Sequence, residues 1–527
     1  MKMNRYFFAT MALAACMSSC DLDKLPAGDL ITEDQKDEVI AVTPELLKGD
    51  VNGLAANRIA WNTLGLAKAQ HFDFGFASVC MMTDASGQDV VADNSGYNWF
   101  AGNLTYSDRN YTSYQVEFIW KVFYNHLLTA NNIIGMVDPA TYDDELRIFR
   151  GQALASRAFD YLNLVQMFQF TYAGHEQAPA VPIVKEGMTG EQIANNPRAK
   201  VQEVYDLIIS DLTEAISLLE GYNHGMDRSG KGLIDQQVAY GLRARANLLM
   251  QKWSEAAADA DKAMAGYSPV SKAEASKPGF HTAASTAWIW ADVISEDNEI
   301  IQTGILNWPS HMCTFTGNGY TTGTGTYRII NNKLWAQIPD SDVRKGWWLN
   351  DKGSSPLSDG IMMGKDKFTD AVGCPPYANV KFAAYKGEVM NATNASDWPL
   401  MRVEEMILIK AEALAQQGQT GAAAQALKPL MAERDSEWNK AEVTVDDVWF
   451  QRRIELWGEG FSFLDILRLK KPVERIGTNY DQATLGYNLP AESKIFLWRI
   501  PECEISSNSG ISNADNNEAV PAPKPEK

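Results

Sequence analysis

Apolar residues recur at steps of three and four through the middle of the chain, and this period restricts the fold more than any other feature. Ile119, Phe123, Leu127, Ala130 and Ile134 step by 4, 4, 3 and 4, which places them on one face of a helix. Leu154, Ala158, Leu162 and Val165 mark a second helix. Val204, Ile208, Leu212, Ala215 and Leu219 mark a third, and Ala239, Leu242, Ala246 and Leu249 a fourth. A fifth begins at Trp253 and carries Ala256, Ala257, Ala260 and Ala263. Another pair runs from Val403, Ile407, Ala411 and Leu414 through Gly418 to residues 422–432. The expected fold is mostly α.

Two of these pairs resemble tetratricopeptide hairpins, in which small Ala residues let antiparallel helices approach. The stretch from Ala239 to Met264, closed by Pro269, matches best, although Gln251-Lys252 stands where the turn usually carries Gly. The pairs are irregularly spaced, so a regular solenoid is not expected. Residues 71–113 and 266–400 are different. They are rich in Gly, Asn, Thr, Pro and aromatics, show little periodicity, and read as an irregular lobe. Seven of the fifteen Trp fall in 266–400: Trp288, Trp290, Trp308, Trp335, Trp347, Trp348 and Trp398. Long loops of this kind are usually functional.

Lys2 and Arg5 precede an apolar run from Tyr6 to Ala15, followed by Met17, Ser18, Ser19 and Cys20. A charged start, a short apolar stretch and small residues make a secretory signal. A Cys directly after them looks like a bacterial lipobox, with lipidation at Cys20 and Met17 where Leu is usual. Acyl chains there anchor a protein to a membrane without spanning it. Once Cys16 is removed and Cys20 acylated, Cys80, Cys313, Cys374 and Cys503 remain, and none forms a CxxC pair. A disulfide among them is left open. The net charge of −19 argues against a nucleic-acid partner, whose footprint is a basic patch.

Catalytic signatures are missing. There is no HExxH, no phosphate loop and no GxSxG elbow, and the six His are scattered. Zinc ligands on a helix need close spacing. No enzyme activity, catalytic metal or cofactor is expected. A loop-bound calcium would leave no strong motif outside an EF-hand, so that question stays open. Polar-aromatic loops do stand out. A sugar has an apolar C–H face and a ring of hydroxyls, so an indole beside amide groups suits it. The run from Asp93 to Asn103 offers Asn98, Trp99 and Asn103; a second cluster offers Trp308 with Tyr320.

Seven segments in fixed order give the chain a resemblance to the SusD/RagB family of outer-membrane nutrient-binding lipoproteins. Leu22-Asp23-Lys24-Leu25-Pro26 is similar to the family's opening after the acylated Cys. Ile119-Trp120 through Ile134 resembles its first long helix. Gly151-Gln152-Ala153 with Arg157-Ala158-Phe159-Asp160-Tyr161, and then Val201 through Leu212, resemble the next two. Trp398 through Arg402 with Ala411-Glu412-Ala413 resembles a late helical unit, with Val403-Glu404 departing from the common residues. Arg452-Arg453, Glu455-Leu456, Glu459-Gly460, Asp465 and Arg468 resemble its RRxELxxEG…D…R helix. Ile500-Pro501, Glu504-Ile505, Asn508 and Asn513 resemble its closing signature.

The resemblance implies about four tetratricopeptide-like units packed against a loop-rich lobe. It also implies a cell-surface lipoprotein that captures a glycan and passes it to a SusC-like TonB-dependent outer-membrane transporter. RagB-like members handle peptides, which is the alternative reading; a protein-binding tetratricopeptide scaffold is a further one. The matched motifs read as scaffold, so Glu459 and Asp465 are given no catalytic role. The expected organisation is a signal peptide over 1–19, a lipidated tether over 20–45, a helical region over 46–270, a region with ligand-binding loops over 271–513, and a disordered tail over 514–527. The expected ligand site has Trp99, Asn98 and Asn103 as one wall and Trp308 with Tyr320 as the other. Trp335, Trp347 and Trp348 are the fallback.

Overall fold

The computed structural model describes residues 44–526. The signal peptide, the lipidation site Cys20 and nearly all of the 20–45 tether lie outside the described residues. Helices account for the main architecture. Those of seven residues or more are α1 (Pro44–Asn57), α2 (Phe76–Ser86), α3 (Tyr114–Met136), α4 (Asp144–Phe168), α5 (Val201–Leu218), α6 (Gln236–Leu249) and α7 (Trp253–Ala263), then α8 (Val403–Gln416), α9 (Thr420–Ala432), α10 (Val445–Glu455) and α11 (Ser462–Arg468).

The periodic faces pack as the sequence predicts. Ile119, Phe123, Leu127, Ala130 and Ile134 on α3 are all buried, as are Leu154, Ala158, Leu162 and Val165 on α4. Side chains cap the helix starts: Ser113 accepts from the backbone N–H of Gln115, and Asp143 from those of Glu145 and Leu146. Such a cap satisfies donors the first turn leaves free. Each of α3 to α7 packs on the next, and α7 then packs on α8, which in turn holds α9 and α10. From Lys48 onward the chain forms one compact unit across residue 270.

The two helical hairpins turn by different means. Gly418 between α8 and α9 has φ +74°, a conformation open to Gly. Gln251 between α6 and α7 adopts φ +59° without being Gly. The Lys252 N–H then donates to the Asn247 carbonyl at 2.9 Å and closes the turn.

Strands are few. β1 (Val90–Val91), β2 (Trp288–Asp292), β3 (Ile329–Ile330) and β4 (Trp398–Arg402) form two antiparallel pairs, β1 with β3 and β2 with β4. The β2–β4 pair runs from Trp288 opposite Arg402 to Asp292 opposite Trp398.

Two expectations change here. The segment 71–113 is not structureless, because α2 lies within it and every residue of α2 is buried. A helix buried on every side, its few polar groups included, has no amphipathic stripe to betray it. The tail after Asn513 is not disordered over its described part. Asn517 donates through its side-chain amide to the carbonyls of Phe168 and Trp498, and Arg198 donates to the Asp515 carbonyl. Three long-range bonds of this kind tie backbone that the Pro-rich composition alone would leave free.

The RRxELxxEG segment forms a buried charge network. Glu455 accepts from Arg434 at 2.9 Å and from Arg402 and Arg344 at 3.3 Å each. Glu459 accepts from Arg402 at 2.8 Å and Lys381 at 2.7 Å. Burial pushes the Glu459 carboxyl up, but Arg402 and Lys381 outweigh it and hold it below the ordinary value. Gly460 sits at φ +90°, and a Cβ there would meet the Cys80 Cβ at 2.6 Å, so only Gly fits this turn.

Candidate functional site

The short β1–β3 pair decides which loops meet. In an antiparallel pair, the end where one strand leaves is the end where the other enters. Trp99 follows β1 and Tyr320 precedes β3, so both loops gather at the same end. The Trp99 indole N–H donates to the Tyr320 hydroxyl at 3.0 Å. Trp99 and Tyr320, one residue from each expected wall, are therefore joined directly.

His71 completes the cluster. Its imidazole stacks on Trp99, with ring centres 4.4 Å apart and planes at 14°. The Tyr320 hydroxyl also makes a short hydrogen bond with His71 Nδ1. Burial first, and Lys68 second, lower the His71 pKa from its ordinary 6.5. Burial raises that of Tyr320. Both rings are thus neutral at pH 7, Tyr320 donating its O–H to Nδ1 while accepting from Trp99. That bond leaves the imidazole proton on Nε2, which has no acceptor among the described residues.

A second histidine backs the platform from inside. His311 stacks on the Tyr320 ring at 4.5 Å and 14°, and on Phe74 at 5.6 Å and 18°. Its Nε2–H donates to the His71 carbonyl at 3.1 Å. Burial, reinforced by Arg328, holds its pKa well below the ordinary value. Trp99 and His71 are half-buried, and Tyr97, two residues earlier, is 61% exposed.

The remaining expected site residues have other roles. Asn98 is buried and shapes its own loop: it donates to the Asp93 carbonyl at 2.7 Å and accepts from the Phe100 N–H and from Arg328. Asn103 is fully buried and donates to Asp108 at 2.7 Å. Trp308 is fully buried, donates to the Ser396 carbonyl at 2.8 Å, and meets Phe382 and Trp398 edge to face. These three offer no free surface to a ligand. Trp347 and Trp348 are likewise buried, whereas Trp335 is half-buried. His71 and His311 were not legible in the sequence, since neither lies in a motif or near Trp99 in the chain. Among the described residues, no group of three or more His, Cys, Asp and Glu is placed to hold a metal ion, and no helix is long and apolar enough to cross a membrane.

The profile of a family described as "Starch-binding associating with outer membrane", SusD-like, matches residues 73–248, and that of the SusD family matches residues 358–517. The chain belongs to the SusD/RagB family. Solved structures of SusD-like proteins share its fold. A SusD-like carbohydrate-binding protein from Bacteroides vulgatus is 24% identical, with a TM-score of 0.71 over 90% of this chain and 98% of the other. A laminarin-binding SusD-like protein is 18% identical, with a TM-score of 0.62 over 88% and 97%. Surface glycan-binding protein A from Bacteroides uniformis is 17% identical, with a TM-score of 0.64 over 90% and 99%. No curated protein matches the chain. In this SusD/RagB protein the RRxELxxEG segment falls in the buried charge network, and the segments over 119–134 and 157–161 fall on buried helix faces.

Proposed function

We propose that this protein is a lipid-anchored, cell-surface outer-membrane protein that binds a glycan on the Trp99 platform and delivers it to a SusC-like TonB-dependent transporter. The observation that carries the binding reading is the Trp99–His71–Tyr320 cluster. It is a half-buried indole held rigid by stacking and one hydrogen bond, beside an imidazole N–H with no protein acceptor. An indole supplies the apolar surface a pyranose C–H face needs, and the N–H supplies a donor for a hydroxyl. Loops on a rigid scaffold are where binding usually resides. The carbohydrate-binding names of similar solved structures support the ligand class. The lipobox ending in Cys20 supports the anchor, and family membership supports the transporter partner.

Isothermal titration of the protein against a panel of plant, algal and bacterial polysaccharides tests the binding reading. At least one polysaccharide should bind, and Trp99→Ala should weaken it. Failure of the whole panel together with binding of a peptide library would transfer the platform to peptides. Cys20→Ala tests the anchor: the variant should leave the membrane fraction, and retention there with acyl chains would contradict it.

A further inference from the structure

A second aromatic cleft lies at the other end of the β1–β3 pair. The chain leaves β3 toward Trp335, opposite to the end where the Trp99 and Tyr320 loops gather. The cleft has a volume of about 420 Å³, within the range of small-ligand sites. Trp335, Asp340, Lys345, Trp348, Asn350 and Ser354 line it. Trp335 is held in place. Its indole N–H donates to the Lys345 carbonyl at 3.2 Å, and the Tyr377 ring meets it at 5.5 Å and 71°.

Polar groups in this cleft are fixed yet unused. The Asn350 Oδ1 accepts from the backbone N–H groups of Lys352 and Ser354 at 2.9 and 3.0 Å. These bonds set the plane of the amide and leave its Nδ2 donors with no acceptor among the described residues. Trp348 is 1% exposed, and its indole N–H has no hydrogen-bond partner; a buried donor normally has one. Lys345 lies 4.8 Å from the centre of the Trp335 ring and pairs with Asp340 at 2.5 Å. Asp340 is largely exposed, so the pair is weak and easily displaced, and the two charges cancel.

We propose that this cleft is a second carbohydrate subsite, taking a pyranose unit of a neutral glycan chain against Trp335 with Asn350 as hydroxyl donor. The inference rests on the glycan reading above and adds a separate location to it. A chain long enough to reach both ends of the β1–β3 pair would then be held at two points, which raises retention without any new contact.

Fluorine NMR of the full-length protein, fluorotryptophan-labelled in detergent micelles, tests this. The Trp99→Phe and Trp335→Phe variants assign the two resonances. The probes are the methyl glycosides of glucose, galactose, mannose and xylose. At least one should shift the Trp335 resonance saturably, including in the Trp99→Phe protein. Asn350→Ala should weaken that titration about two- to tenfold, the usual worth of one neutral hydrogen bond. A Trp99 response without a Trp335 response overturns this inference and leaves the glycan reading standing. A Trp335 response without a Trp99 response supports the second subsite and removes the first. Silence of both resonances overturns both. A Trp335 response unchanged in Asn350→Ala overturns the cleft as the site.

Discussion

The Glu455–Glu459 turn and the Trp99 platform each gather aromatic and polar side chains, but they use their hydrogen-bonding groups differently. In the turn, both carboxylates are buried and share four cations, Arg344, Arg402, Arg434 and Lys381. Rings enclose three of these cations: Phe280 lies under Arg402 and Lys381, and Trp347 under Lys381 and Arg434. The platform spends its bonds on orientation, and leaves Trp99 half-exposed and His71 Nε2 without a partner. Saturated polar groups in a closed core stabilise one arrangement. Held but unsaturated groups at a surface are available to a ligand.

The largest effect is expected where a charge is left alone. Glu455→Ala removes the acceptor of three buried guanidinium groups, so it should destabilise the fold by about 3–5 kcal/mol, the usual cost of breaking a buried ion pair. Urea denaturation measures this, and a loss under 1 kcal/mol would contradict the network's role. Trp308→Ala should cost a similar amount, about 3–5 kcal/mol, through the cavity left between Phe382 and Trp398. Its glycan affinity, measured on the protein that remains folded, should be unchanged.

Acid should act on the buried histidines and on the paired carboxylates in different pH ranges. His71 and His311 have folded pKa values below 6.5. Their contribution is therefore present above pH 6.5 and is lost as the pH falls, because the unfolded chain takes up protons first. Glu459 and Asp465 lie below their ordinary values of 4.5 and 3.8. Their contribution is present above those values and is lost as the pH falls further. Burial raises the Asp84 and Asp160 carboxyls to about 7 and about 6, which acts in the opposite direction over the same range. The histidine part is therefore read by difference: as the pH falls from 6.5 to 5, the urea midpoint of His311→Gln should rise relative to that of the unaltered protein. A difference between the two proteins that stays constant from pH 6.5 to 5 would contradict the histidine assignment. The smallest effect is expected for Tyr320→Phe. It deletes the hydroxyl that joins Trp99 to His71 and should reduce affinity by about 0.5–1.5 kcal/mol, seen by calorimetry with little change in melting temperature.

The helix faces were legible because burial on a helix repeats at a local period. Ile119, Phe123, Leu127, Ala130 and Ile134 show it in the sequence and in the core alike. The α2 helix was not legible, since a helix buried on every side has no period. The Trp-rich stretch misled for a related reason. Trp288, Trp290 and Trp398 are buried through the β2–β4 pair, whose strands lie about a hundred residues apart, and nothing local marks that. Of the candidate site, Trp99 and Tyr320 were legible as loop aromatics beside polar groups. Their direct contact depends on a pair of two-residue strands. His71 enters through an unrelated loop.

On the function proposed above, Trp99 serves binding whereas Trp308 serves the fold. Calorimetric titration with whichever polysaccharide binds the unaltered protein, run beside thermal melting of Trp99→Ala, tests it most directly. Stacking of a base on an aromatic ring is worth about 1–3 kcal/mol, and taking that scale for a sugar face, Trp99→Ala should weaken binding about 5- to 150-fold. Its melting temperature should stay close to that of the unaltered protein. Unchanged affinity with a lowered melting temperature would contradict the account and make Trp99 another core tryptophan.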